Sequence, residues 1–223
     1  METGGKAWKL RVWYRRTDMR CMIRRFLSEQ GGGVMVGSRA AELASVGASC
    51  LVLIDMQEKL LPVISGSERI SERCHFLLSS AGLFSVPVFL TEQYPRGLGR
   101  TAEVLRAAVP DAVVLEKLRF SAAEVLRGVL ALMPGLRQVV LVGIEAHICV
   151  LQTALDLRAA GLQVIVAADA TGSRREADAA TGLSRMGASG VTLATTESIA
   201  FEWCESAEHA GFRQLSGLVR SQQ

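Results

Sequence analysis

Residues 138–149 read Gln-Val-Val-Leu-Val-Gly-Ile-Glu-Ala-His-Ile-Cys, and this stretch carries the pattern that decides the fold. The apolar run at residues 138–142 has the length of one strand. A helix is predicted soon after it, from residue 147 to residue 160, with Gly161 ending it. A continuously apolar strand followed closely by a helix is typical of a parallel sheet that is covered on both faces. The stretch therefore predicts an α/β domain.

The same alternation of apolar strand and helix extends outward in both directions. With right-handed crossovers it predicts a three-layer, doubly wound, six-stranded parallel sheet, for which we take the strand order 3-2-1-4-5-6. The other strands are predicted at residues 50–54, 86–91, 111–115, 162–167 and 190–193, and the other helices at residues 67–83, 101–108, 121–132, 174–186, 198–204 and 209–219.

Length and composition narrow the class of protein. The chain has 223 residues, of which 49% are hydrophobic and 21% are charged, so one domain can bury a core without metals or disulfides. No run of about 18 apolar residues occurs, so no membrane span is expected. Five cysteines without paired spacing and three scattered histidines predict neither a disulfide framework nor a metal site. We expect no cofactor.

The amino-terminal part differs from the rest in charge. Residues 1–34 carry eight basic and three acidic residues, whereas the remainder of the chain is slightly acidic. We assign residues 1–47 to a disordered basic extension and linker, and residues 48–223 to the folded domain. The extension could be a mitochondrial-type targeting segment, a plain tail, or the product of a start codon upstream of Met35. Accordingly, we expect a cytoplasmic protein, or a mitochondrial one if the extension is a targeting segment.

Polar side chains follow the predicted strands at the edge where parallel sheets bind ligands. Three of them supply a base, a cation and a nucleophile, namely Asp55, Lys117 and Cys149. Five more are candidates for contacting a substrate, although Glu92 and Tyr94 could equally order the loop and Arg119 could equally lie on the surface. These five are Gln57, Glu92, Tyr94, Arg119 and Phe120.

Cys149 is predicted in the first turn of a helix, where the helix N-terminus and a nearby ammonium are expected to lower its thiol pKa. Asp55 could accept the thiol proton, and backbone N–H groups of residues 143–149 could form an oxyanion hole. Lys117 follows the third strand, roughly 10 Å from the first strand, so its loop must fold over the site. His147 precedes Cys149 by two residues and is expected at the rim rather than in a Cys–His pair.

The motifs around these residues resemble the isochorismatase-like cysteine hydrolase superfamily. They are Asp55-Met56-Gln57, Lys117 with Phe120-Ser121, Gly143-Ile144-Glu145-Ala146, and Cys149-Val150 with Thr153 and Asp156. The stretch Leu90-Thr-Glu-Gln-Tyr-Pro-Arg-Gly-Leu-Gly99 and the tail Phe212-Arg-Gln-Leu215 are similar to the isochorismatase domain-containing subgroup. The resemblance spans residues 48–220.

The resemblance implies a role for each site residue. Asp55 is the implied base, Lys117 the partner of the thiolate, and Cys149 the nucleophile. It also implies a cis peptide bond between Ile144 and Glu145, with the amides of Glu145 and Cys149 as oxyanion donors. The implied reaction is hydrolysis of a small amide, carbamoyl or related C–N bond through a thioester.

Two departures from the superfamily's patterns narrow this expectation. Nicotinamidases hold a metal with an Asp-x-His pair where this chain has Thr91-Glu92-Gln93, so we expect no metal. True isochorismatases lack the cysteine, so Cys149 argues against isochorismate as substrate. We expect a small-molecule substrate and a homo-oligomer, without membrane or nucleic-acid partners. The alternatives are a non-catalytic binding protein and a nuclease that uses the basic extension.

Overall fold

The sheet is parallel and six-stranded, as the sequence predicts. The computed structural model describes residues 39–222, and in it the strand order is β3-β2-β1-β4-β5-β6, which confirms the predicted order. The strands are β1 (Ser49–Ile54), β2 (Val88–Gln93), β3 (Val113–Lys117), β4 (Gln138–Ile144), β5 (Gln163–Gly172) and β6 (Thr192–Ala194).

Helices cover both faces of the sheet and give the molecule three layers. They are α1 (Ser67–Leu83), α2 (Pro95–Leu98), α3 (Glu103–Ala108), α4 (Ala123–Leu130), α5 (Leu151–Ala159), α6 (Glu176–Ala188), α7 (Thr196–Cys204) and α8 (Phe212–Arg220). One apolar core lies under α1, α3, α7 and α8, and a second lies under α4, α5 and α6. Among residues 39–222, no helix is both long enough and apolar enough to cross a bilayer.

The central strands β1 and β4 are buried along their whole length, which explains their continuous apolar sequence. Near the carboxyl ends of these strands, Gly143 has φ +115°, and a Cβ there would collide with the backbone carbonyl of Ile54. Only glycine permits this close approach of the two backbones. It brings the end of β4 against the end of β1, where Asp55 follows with a left-handed φ of 51°.

A short segment packs against the sheet at the amino-terminal ends of its strands, which we call the amino-terminal edge. Residues 39–48, which largely fall in the extension and linker expected from the sequence, hydrogen-bond to the domain. The amide of Ser45 donates to Gln138 Oε1 (2.8 Å), and the amide of Ala44 donates to Glu202 Oε2 (2.6 Å). The expectations for residues 1–34 lie outside the described residues.

Candidate active site

A buried ion pair lies at the carboxyl edge of the sheet. Lys117, the last residue of β3, donates from Nζ to Asp55 Oδ2 at 2.6 Å, and both side chains are only 1% exposed. The other carboxylate oxygen, Oδ1, accepts a hydrogen bond of 2.7 Å from the hydroxyl of Thr91. Asp55 is therefore fixed on both oxygens, by a group from β2 and a group from β3.

The chain after β3 folds over the ammonium of Lys117, as expected from the sequence, and supplies acceptors to it. The ammonium also donates to the backbone carbonyl of Phe120 at 2.9 Å and to Gln93 Oε1 at 2.8 Å, with a longer contact of 3.4 Å to the carbonyl of Arg119. Its three protons are thus matched by three close acceptors, of which only Asp55 is charged.

Cys149 completes a cluster with these two residues. Its thiol is buried, and it interacts with both Asp55 and Lys117. Burial raises the pKa of the thiol to about 12, with the negative charge of Asp55 acting in the same direction and Lys117 opposing it. The expected lowering of the thiol pKa is therefore wrong for this geometry, because it left out desolvation and the carboxylate. In this structure Cys149 is a thiol beside a base.

The turn that carries Cys149 is a π-helical turn, Ala146–Val150, rather than the first turn of an α-helix. The Ile144–Glu145 peptide before it is cis, as the resemblance implied. The carbonyl of Glu145 accepts hydrogen bonds from the amides of Ile148 (3.0 Å) and Val150 (3.2 Å). These bonds fix the backbone on which the two expected oxyanion donors, the amides of Glu145 and Cys149, lie.

Residues of the β5–α6 connection hold the outer side of the π-helical turn. Glu145 Oε2 accepts from the amide and the Nε of Arg174, both at 3.1 Å. His147 Nδ1 lies 2.9 Å from Ser173 Oγ, so the structure pairs this histidine with a hydroxyl. Gly182 of α6 packs so tightly that a Cβ there would come within 2.9 Å of the backbone nitrogen of His147.

Thr153 links the turn of Cys149 to the loop of Lys117. Its buried hydroxyl donates to the carbonyl of Cys149 at 2.7 Å and accepts from the amide of Ala122 at 2.9 Å. Ala122 follows Phe120 by two residues, and the carbonyl of Phe120 holds Lys117. In the sequence Thr153 belongs to one of the motifs, but no role was predicted for it. Its position four residues after Cys149 on a helix is the spacing at which a threonine hydroxyl bonds to a backbone carbonyl.

Two of the five candidate substrate residues anchor a strap, which we define as residues 94–101. Gln57 is buried, donates from Nε2 to the carbonyls of Gln93 (3.0 Å) and Gly99 (2.7 Å), and accepts from the amide of Gln93 (2.8 Å). Glu92 Oε1 accepts from the amide (2.8 Å) and hydroxyl (3.0 Å) of Thr101. Both side chains thus have structural partners within the protein.

The other three candidates are exposed beside the buried ion pair. Tyr94 is 51% exposed, has a left-handed φ of 40°, and donates its amide to the carbonyl of Lys117 at 2.9 Å. Its ring packs against Gly97, where an added Cβ would collide with it. Phe120 is 54% exposed, and Arg119 forms a surface ion pair of 3.4 Å with Glu124.

Sequence reasoning left Gln93 out of the site. The boundaries of β2 and β3 lie two residues further along the chain than predicted, so Gln93 and Lys117 end these strands and are register partners. Their side chains can therefore meet at the end of the sheet. The contact between Gln93 and Lys117 could have been predicted only from the register of β2 and β3.

Within residues 39–222, no group of three or more histidine, cysteine, aspartate or glutamate side chains could hold a metal ion. Thr91 and Gln93 lie in the stretch that the resemblance compares with the Asp-x-His pair of nicotinamidases. In this chain Thr91 hydrogen-bonds to Asp55 and Gln93 hydrogen-bonds to Lys117. Both positions therefore support the buried ion pair.

Comparisons with known proteins agree with this architecture. The family model for the isochorismatase domain matches residues 49–198. Isochorismatase domain-containing protein 2 of Bos taurus is 41% identical over 174 residues, which cover 78% of this chain and 84% of that protein.

Solved structures share the fold. The MAR1 ribonuclease of Caenorhabditis elegans superposes with a TM-score of 0.72 and 32% identity, covering 80% of this chain and 92% of that one. The YcaC gene product of Escherichia coli, an octameric hydrolase of unknown specificity, has a TM-score of 0.71 and 22% identity, covering 84% of this chain and all of that one. At that identity the second likeness concerns the fold alone.

Proposed function

This chain belongs to the isochorismatase domain family, and we propose that it is a cysteine hydrolase of a small amide, carbamoyl or related C–N bond. The observation that carries the proposal is the buried pair of Asp55 and Lys117 against the thiol of Cys149. A nucleophile, a base and a cation that interact in one buried cluster form an arrangement suited to nucleophilic catalysis. A purely structural cysteine needs neither partner.

In the first half of the proposed reaction, Asp55 accepts the Sγ proton of Cys149 as the sulfur attacks the substrate carbonyl carbon. The S–C bond forms, and the carbonyl electrons move onto oxygen, which the amides of Glu145 and Cys149 stabilise. When this intermediate collapses, the C–N bond breaks and Asp55 gives its proton to the nitrogen. An amine or ammonia leaves, and a thioester on Cys149 remains.

In the second half, Asp55 accepts a proton from water, and the resulting hydroxide attacks the thioester carbon. The C–S bond then breaks, the acid product leaves, and the proton held by Asp55 returns to the sulfur. Lys117 keeps its charge throughout, so the buried site carries the same net charge before and after each proton transfer. This constancy avoids the large penalty of creating a new unpaired charge in the interior.

The exposed residues beside the ion pair are the proposed substrate contacts. Tyr94 and Phe120 offer apolar surface, and Arg119 offers a cation that its weak surface pair leaves available. Gln57 and Glu92 act on the substrate only through the strap that they anchor. This division supports a small substrate whose reacting carbonyl reaches the buried thiol.

The test is a panel of small amides, ureides and carbamoyl compounds, assayed with the wild type and with Cys149→Ala. The wild type should release amine or ammonia from at least one class, and Cys149→Ala should release none while keeping the melting temperature within a few degrees. A mass increase of an acyl group on Cys149 should be trapped with slow substrates. Full turnover by Cys149→Ala would contradict the proposal.

Hydrolysis of RNA is a second candidate, which the name of the ribonuclease from Caenorhabditis elegans favours. The basic residues 1–34 offer phosphate contacts for such a substrate. Incubating labelled RNA with the wild type and with Cys149→Ala separates the two. RNA cleavage that survives purification and is lost in the variant would make RNA the substrate of this site, and cleavage by both would assign it to another site or a contaminant.

We also propose that the chain forms a homo-oligomer. The YcaC gene product is octameric, and Leu118, which is 70% exposed, offers an apolar side chain that an assembly would cover. Light scattering at micromolar concentration should give a mass of at least two chains. A monomer under those conditions would contradict this part of the proposal.

A further inference from the structure

The Lys117 ammonium has no proton to spare for Cys149 in the resting site. Its three close acceptors are Asp55 Oδ2 (2.6 Å), Gln93 Oε1 (2.8 Å) and the carbonyl of Phe120 (2.9 Å). An ammonium has three N–H donors. A lysine that is to stabilise the thiolate must therefore release one acceptor when the thiolate forms.

The charge of each acceptor decides which one the Lys117 ammonium releases. When Asp55 accepts the thiol proton it becomes a neutral acid, and its hold on the ammonium weakens because the attraction between opposite charges is lost. At the same moment the sulfur, which already interacts with this ammonium, becomes an anion. Gln93 and Phe120 remain unchanged as neutral acceptors during this exchange.

We propose that Gln93 is a positioning residue of this site, whose neutral side-chain carbonyl holds the Lys117 ammonium while one N–H turns from Asp55 to the Cys149 sulfur. This inference rests on the proposed function. It adds to it the residue that holds Lys117 while the lysine exchanges Asp55 for the Cys149 sulfur as a hydrogen-bond partner. Gln93 has no role in binding the reacting atoms themselves.

The side chain of Gln93 is itself held on several sides. Its Nε2 donates to the carbonyl of Leu118 at 2.8 Å, which fixes the amide so that Oε1 faces Lys117. Its backbone amide and carbonyl are both bonded to the buried side chain of Gln57. A merely space-filling residue would need none of these contacts.

Neutrality is the property that matters at this position. A glutamate here would offer a second carboxylate to Lys117, and the ammonium would stay between two anions instead of turning to the sulfur. The added negative charge would also disfavour the thiolate directly. The charged groups that face the thiol are Asp55 and Lys117, and the next along the turn are Glu145, paired with Arg174, and His147, paired with Ser173.

The experiment measures alkylation of Cys149 by iodoacetamide, followed by mass spectrometry of the intact protein, so that no substrate has to be known. The variants are Gln93→Glu, which keeps the size, Gln93→Met, which keeps the volume without an acceptor, and Gln214→Glu, the same charge change on the exposed face of α8. Cys149→Ser identifies the labelled site, and circular dichroism checks the fold of each variant.

The rate of Cys149 alkylation near neutral pH should fall about tenfold in Gln93→Glu, because the added negative charge lowers the population of the thiolate about tenfold. Gln93→Met should fall less, and Gln214→Glu should match the wild type. If Gln93→Glu fails to fold, Gln93→Met decides by the same comparison.

Two different failures can be told apart. If Cys149 reacts in the wild type, slows in Lys117→Met and is unchanged in both Gln93 variants, the role of Gln93 is refuted and the proposed function stands. If Cys149→Ser labels as fast as the wild type, the cysteine is not an accessible nucleophile. The proposed function then fails together with the inference.

Discussion

The two edges of the sheet both bury polar side chains, but the groups they use are different. At the amino-terminal edge, Gln138 is joined to its register partners Ser49 and Gln163 and to the backbone of residues 41–45, and every group in this network is neutral. At the carboxyl-terminal edge, a carboxylate and an ammonium are buried next to a thiol.

The difference separates stability from chemistry. A neutral network whose donors and acceptors are matched fixes the chain and has no proton to move. A buried ion pair contributes little net stability compared with apolar packing, yet it can exchange a proton with a neighbouring thiol without changing its total charge. The carboxyl-terminal edge is therefore the one suited to catalysis, and the other edge to holding residues 39–48 in place.

The largest expected effect comes from breaking the ion pair. Lys117→Met leaves the carboxylate of Asp55 buried without its cation, so the free energy of unfolding should fall by about 3–5 kcal/mol. Turnover should be lost as well, because the thiolate has no cation. Urea denaturation at neutral pH measures the first effect. The double variant Lys117→Met with Asp55→Asn should recover part of the stability, and a double variant less stable than Lys117→Met would contradict the account.

Breaking the network at the opposite edge should change stability alone. Gln138→Leu leaves the amide of Ser45 and the carbonyl of Leu43 without their partner, and the free energy of unfolding should fall by about 2–3 kcal/mol. The rate of Cys149 alkylation in the folded variant should equal that of the wild type. A slower alkylation would show that the two edges are coupled and would contradict the separation of stability from chemistry.

The smallest effect is expected at Thr153, which joins the two loops of the site. Thr153→Val keeps the shape of the side chain but leaves the amide of Ala122 without its acceptor. The free energy of unfolding should therefore fall by about 1–3 kcal/mol. Alkylation of Cys149 should slow, since its carbonyl loses a donor that orients the turn. Thr153→Ser retains the hydroxyl and should restore both values. If Thr153→Val and Thr153→Ser have the same free energy of unfolding and the same alkylation rate, the role of the Thr153 hydroxyl is refuted.

Much of the fold could be predicted because its signals are local. The strands at residues 50–54 and 138–142 are apolar throughout, since both faces of a central strand are buried, and the predicted bounds lie within two residues of β1 and β4. The residues after these strands led to Asp55 and Cys149, because the carboxyl ends of parallel strands share one edge.

The rest of the site depends on facts that a single sequence does not carry. Gln93 meets Lys117 only through the register of β2 and β3, which no local pattern specifies. The direction of the thiol pKa depends on burial and on the position of Asp55, neither of which can be obtained from the position of Cys149 near a helix. Likewise Gln57 hydrogen-bonds to Gln93 and Gly99, which lie 36 and 42 residues away along the chain, and no local pattern predicts these contacts.

The central claim is that Asp55 and Cys149 share one proton, and the pH dependence of Cys149 alkylation tests it most directly. Proton transfer between the two changes no net charge, so the thiolate form with a protonated Asp55 should have a constant population between about pH 7 and about pH 9. The wild type should therefore react at a nearly constant rate over that range, although the pKa of the thiol is raised to about 12. In Asp55→Asn the rate should instead rise about tenfold per pH unit, as for a thiol that must lose its proton to water. A wild-type rate that rises in the same way as that of Asp55→Asn would contradict the account.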